Sequence, residues 1–82
     1  MVTISYNPLF QETIKKIRHQ GLKEKVIKQI DKITKDPEIG KPMRFARKGT
    51  REVYVKPFRL SYVYLKDEDK IIFLDLYHKD EQ

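Results

Sequence analysis

Seven cationic side chains fall between residues 41 and 59: Lys41, Arg44, Arg47, Lys48, Arg51, Lys56 and Arg59. Glu52 is the one acid among them, so the segment carries +6, the formal charge of the whole chain. Everything outside it cancels. Tyr54 and Phe58 are interleaved with the cations. Concentrated positive charge beside aromatic rings suits phosphate groups and the bases attached to them. Tyr62, Tyr77 and His78 lie further along and add rings, a hydroxyl and an imidazole. The acids Asp67, Glu68 and Asp69 are consecutive in a turn, where carboxylates diverge, so they read as solubilising rather than as a metal site. No cysteine is present. That excludes disulfides and thiolate metal sites.

At 82 residues the chain reads as one domain, 1–82, with a modest core. No apolar run approaches a membrane span, and the first residues carry no secretion signal pattern. The expectation is a soluble cytoplasmic protein with an acidic partner and no membrane contact.

Regular elements must position these side chains. Val2, Ile4 and Tyr6 alternate with polar residues as a short strand. Asn7-Pro8 is a helix start, an N-cap followed by proline at the first helical position. Phe10, Ile14 and Ile17 mark the buried stripe of that helix, and Gly21 reads as its left-handed C-cap. His19 then sits late in the helix, where an imidazole suits the C-terminal end. Leu22, Val26, Ile27, Ile30 and Ile33 form a second amphipathic helix, with Lys25, Lys28, Lys32 and Lys35 on a solvated face. Asp36-Pro37 stops it. A basic linker follows, with a short strand expected around residues 43–45.

Three strands come next. Val53 and Val55 belong to the first. Phe58, Leu60, Tyr62 and Tyr64 alternate with Arg59 and Ser61 in the second. After a charged turn at Lys66 to Asp69, Ile71 to Tyr77 is nearly all apolar, as expected of a central strand covered on both faces. The fold class is α+β in the order β-α-α-β-β-β, an N-terminal helical hairpin packed on a small, twisted, mostly antiparallel sheet.

Phe58-Arg59-Leu60-Ser61-Tyr62 resembles the aromatic-Arg-aliphatic-x-Tyr strand of the RelE/ParE superfamily of toxins from type II toxin–antitoxin pairs. The acidic turn, Lys70 to Leu74 and the closing Tyr77-His78-Lys79-Asp80-Glu81 resemble the segments that follow in that family. The order of elements is similar along essentially the whole chain. The resemblance implies one of two activities. RelE-like members cut messenger RNA on the ribosome without a metal; ParE-like members poison DNA gyrase. It also implies a small acidic antitoxin as partner, joined in a hetero-oligomer, with the free toxin a monomer.

Metal-free RNA cleavage needs a base for the 2′-hydroxyl, an acid for the leaving oxygen and positive charge on the phosphorane. The resemblance gives the phosphate clamp to Arg59, with Lys56 and Lys79 as further cations. It offers His78 for proton transfer and Tyr77 for stacking or donation. Arg44, Arg47, Lys48, Arg51, Tyr54 and Tyr62 are the candidate RNA-binding residues. The expected function is a cofactor-free endoribonuclease acting on ribosome-bound messenger RNA. Gyrase poisoning and a non-toxic nucleic-acid-binding module are the alternatives. At positions where RelE-like nucleases usually carry two alternating lysines, this chain has Glu52 and Tyr54, and Asp80 stands where an arginine is frequent. A salt bridge from Arg59 to Glu52 or Asp75 competes with the phosphate role.

Overall fold

The computed structural model describes residues 2–44 and 48–78. Strand β1 (Thr3–Tyr6) leads to helices α1 (Pro8–Lys16) and α2 (Gln20–Lys35). Strands β2 (Lys41–Pro42), β3 (Arg51–Val55), β4 (Phe58–Leu65) and β5 (Lys70–His78) follow. The sheet order is β1-β5-β4-β3-β2. β1 runs parallel to β5, and the other neighbours are antiparallel. β5 is thus an interior strand, as its apolar run implied. The expected fold class holds, with β1 and β2 as the sheet edges. The strand expected near residues 43–45 forms earlier, at Lys41–Pro42, and Phe45 lies outside the described residues.

Asn7 caps α1 as expected, its side chain accepting from the Leu9 N–H at 2.9 Å. The end of α1 does not fall at Gly21. The chain leaves the helix at Ile17 in an extended conformation, with ψ of 119°. His19 then caps α2, its Nδ1 accepting from the Leu22 N–H at 3.1 Å. Gly21 is therefore a first-turn residue of α2 and not a C-cap. A Cβ there would lie 3.0 Å from His19 Cε1, so glycine leaves room for the capping ring.

α1 packs against β5 and α2 against β3. Phe10, Val26 and Ile33 from the helices meet Val55, Leu60, Tyr62, Ile71, Phe73 and Leu76 from the sheet. Tyr6, Phe10 and Phe73 stack with centroids 5.5–5.9 Å apart. Ile27 departs from the expected stripe and is 62% exposed. It follows Val26 directly, and one residue turns a helix by about 100°. The β4–β5 turn is a short 3₁₀ segment closed by Asp69, at φ 50° in the left-handed region that aspartate tolerates.

Candidate functional site

One face of the sheet is covered by the helices. The opposite face follows from alternation, because residues paired across strands share a side. Arg59 pairs with Tyr54 on β3 and with Tyr77 on β5. Ser61 pairs with Glu52 and Asp75, and Glu52 also pairs with Lys41 on β2. These residues line the face away from the core residue Leu60.

A bulge on β5 brings Tyr77 to that face. Ser61 pairs with Asp75 while Tyr62 pairs with Phe73, so Leu74 is the extra residue. An extra residue inverts the alternation beyond it. Phe73 points into the core, and Tyr77, four residues later, points to the other side. The Asp75 carboxylate accepts from the Leu76 N–H at 2.8 Å beside the bulge.

On this face Glu52 joins two other groups. The Tyr77 hydroxyl donates to Glu52 Oε2. Arg59 Nη1 lies 3.5 Å from Glu52 Oε1. Glu52 is 6% exposed, whereas the Arg59 side chain is 37% exposed. The carboxylate is thus buried beneath a guanidinium that still reaches solvent. A buried carboxylate needs such partners, since its desolvation is costly without them.

Above the trio lies an open cavity of about 940 Å³, lined by Lys41, Arg44, Glu52, Tyr54 and Arg59 among others. Three cations from β2, the following linker and β4 therefore surround one space. The half-exposed Tyr54 ring stands beside them. An anion entering here would meet a fork of N–H donors from Arg59 and point charges around it.

The structure sorts the sequence-based candidates. Arg59, Arg44 and Tyr54 come together, and Tyr77 joins them through Glu52. His78 does not. It pairs with Phe58 on the opposite phase from Arg59, and its ring meets the Phe58 ring edge-on at 5.5 Å. Strand alternation, which sequence proximity to Tyr77 hides, separates them. Lys56 is exposed in the β3–β4 turn beside the cis Lys56-Pro57 bond, and Lys48 is exposed in the turn before β3, neither lining the cavity. Arg47 and Lys79 lie outside the described residues.

Tyr62 is fully buried and offers no ring face to a base. Its hydroxyl donates to the Pro37 carbonyl at 2.8 Å and accepts from the Gly40 N–H at 2.9 Å. Burial pushes this phenol above its ordinary 10.0, while the Gly40 hydrogen bond pulls the other way. Arg51 is likewise committed, donating from Nη1 to the carbonyls of Glu38 at 2.9 Å and Gly40 at 2.8 Å.

The sequence places Lys41 only in the basic segment and Glu52 only as an ion-pair partner for Arg59; the structure shows that pairing and sets both residues at the cavity. Glu52 had a signal, since it sits two residues before Tyr54 and so shares its face. Lys41 had only its place in the basic run, because a two-residue strand leaves no periodicity to fix its face. Among the described residues no three His, Asp or Glu side chains gather as a metal site. No helix there is long and apolar enough to cross a membrane.

A family model described as the ParE toxin of the type II toxin–antitoxin system parDE matches residues 4–82. Solved structures share the fold at low identity. The toxin–antitoxin complex RelBE2 from Mycobacterium tuberculosis matches at TM-score 0.82 and 19% identity, covering 95% of this chain and 98% of that one. The YoeB/ParE toxin from Agrobacterium tumefaciens matches at TM-score 0.84 and 11% identity, covering 94% and 98%. The intact RelBE toxin–antitoxin complex of E. coli matches at TM-score 0.80 and 10% identity, covering 95% and 96%. No curated protein matches the chain.

Proposed function

The chain belongs to the ParE toxin family of type II toxin–antitoxin systems, and from that premise we propose that its weapon is metal-independent cleavage of ribosome-bound messenger RNA at the open face of β3 and β4. One observation carries this reading. Arg59, Lys41 and Arg44 surround a single cavity whose floor holds a buried carboxylate, Glu52.

The chemistry draws on groups that line the cavity and on Tyr77, which reaches it through its hydrogen bond to Glu52. The Arg59 fork binds the scissile phosphate and offsets charge on the phosphorane. Glu52 takes the 2′-hydroxyl proton as the 2′-oxygen bonds to phosphorus. The bond from phosphorus to the 5′-oxygen breaks, and the Tyr77 hydroxyl or water returns a proton to that oxygen. Tyr54 stacks on a splayed base. His78 has no part in this scheme, because it sits on the opposite phase of β5.

A second reading is favoured by the family match itself and by Glu52 and Tyr54 at positions where RelE-like nucleases usually carry lysines. It is gyrase poisoning without RNA cleavage. Induction of the toxin in a host separates the two. RNA ends newly mapped inside translated codons support the nuclease; DNA breaks with intact messenger RNA sink it.

The proposed silencing partner is a small acidic antitoxin. Fold neighbours were solved as toxin–antitoxin complexes, and a +6 chain suits an acidic segment that folds on binding. Co-expression with an adjacent small open reading frame should yield a co-purifying complex and restore growth. A toxin that purifies alone, abundant and harmless, contradicts this.

A further inference from the structure

Strand β2 is two residues long, Lys41–Pro42. So short a strand has few ladder bonds with which to hold Lys41 over the cavity, and beyond it the Met43 N–H donates to the Thr50 carbonyl at 3.0 Å in the linker carrying Arg44. The turn before the strand, Pro37 to Gly40, is fastened by two side chains from the sheet. The Tyr62 hydroxyl bridges the Pro37 carbonyl and the Gly40 N–H. Arg51 Nη1 bridges the Glu38 and Gly40 carbonyls. Gly40 is thus gripped on its N–H by one residue and on its C=O by the other. A Cβ on Gly40 would lie 2.6 Å from the Tyr62 hydroxyl oxygen, so glycine is what permits so close an approach.

We infer that Tyr62 and Arg51 are positioning residues, latching the Pro37–Gly40 turn so that Lys41 and Arg44 stand at the mouth of the cavity, rather than RNA contacts themselves. The inference rests on the proposed phosphate-binding role of that cavity. Both residues come from strands that also carry the site. Arg51 is the neighbour of Glu52, and Tyr62 is three residues beyond Arg59. The strands that build the floor of the cavity therefore also fix the distance to its basic rim. Arg59 stands outside this arrangement, since β4 holds it directly.

Tyr62→Phe is the cleanest test, because it keeps the ring in the core and removes only the hydroxyl. Gly40→Ala attacks the same latch from the other side. The probe is a short 2′-O-methyl RNA oligonucleotide, which cannot be cut for want of a free 2′-hydroxyl. Tyr62→Phe should bind it about tenfold more weakly, with a salt slope shallower by about one. Lys41→Ala should lose most of its effect in the Tyr62→Phe background, while Arg59→Ala keeps its full effect there. Amide exchange at Gly40 should accelerate in Tyr62→Phe, with the core strands still protected.

An undiminished Lys41→Ala effect in Tyr62→Phe, or in Gly40→Ala should the first variant not fold, overturns the positioning role. If the parent binds no oligonucleotide, the reading of the cavity fails instead. Exchange still decides the latch in that case, and unchanged protection at Gly40 overturns it.

Discussion

Arg59 holds its guanidinium over a buried carboxylate, with Nη1 3.5 Å from Glu52 Oε1. Its place out of phase with Phe58 and Leu60 put it off the core face, and the structure places it there over Glu52. Arg59→Ala should abolish toxicity, costing about 2–4 kcal/mol of transition-state stabilisation. It should also lower stability by roughly 1 kcal/mol, because Glu52 loses its ion-pair partner, a loss tempered by the guanidinium's exposure. Killing assays and thermal melts read the two effects separately; full toxicity in a folded Arg59→Ala would refute the clamp. Glu52 and His78 test proton transfer. Glu52→Gln should slow RNA cleavage by about 10²–10⁴-fold while retaining binding. His78→Ala should stay within about threefold of the parent, since His78 lies on the opposite phase of β5 from Tyr77 and a general acid or base must reach the proton it transfers. The reverse pattern in single-turnover assays would return the chemistry to the end of β5. The sequence does not separate His78 from Tyr77, because motif adjacency says nothing about which side of a strand a residue faces.

At the scale of elements, the strands were legible and their punctuation was not. Alternation in Phe58 to Leu65 and the apolar run at 71–77 located β4 and β5, since periodicity reports burial directly. The β5 bulge had no such signal. Leu74 and Asp75 look like any strand residues, yet the one extra residue decides that Tyr77 faces Glu52. The helix junction was misread because glycine is the usual C-cap, whereas a histidine N-cap is rare enough to pass unseen. Gly21→Ala checks the corrected boundary. Alanine normally gains about 1 kcal/mol over glycine inside a helix. Here its Cβ would crowd the His19 ring, so the gain should largely vanish in a melting experiment; a full gain would argue against the cap. The turn before β2 offers a pH test. The Tyr62 phenol is raised above 10.0 chiefly by burial, so the fold favours its protonated form. That contribution is complete below pH 10 and is lost as pH rises through the folded value. Stability should therefore fall in the alkaline range, and Tyr62→Phe, already weaker at neutral pH by about 1–3 kcal/mol, should show a shallower fall. Parallel alkaline curves would deny the linkage.

Seen whole, the molecule divides its labour by sheet face. One side packs helices α1 and α2 into the core, and the other presents the cavity and its cations. Net charge located the basic segment from the sequence alone, and residues 41–59 span β2, β3 and the start of β4. Composition could not show how much of the charge is free to meet a ligand. Arg51 is spent on backbone carbonyls, and Lys48 and Lys56 sit in turns that do not line the cavity, so among the described cations of the segment Lys41, Arg44 and Arg59 surround it. Attack by the internal 2′-hydroxyl leaves a chemical signature distinct from attack by an external water that leaves a 3′-hydroxyl. The most direct measurement is therefore the chemistry at the 3′ ends of messenger RNA fragments made on ribosomes by the purified toxin. Ends carrying a 2′,3′-cyclic phosphate or 3′-phosphate, absent with Arg59→Ala, are the predicted result. Ends carrying a 3′-hydroxyl, or intact messenger RNA from an active toxin, would contradict the account.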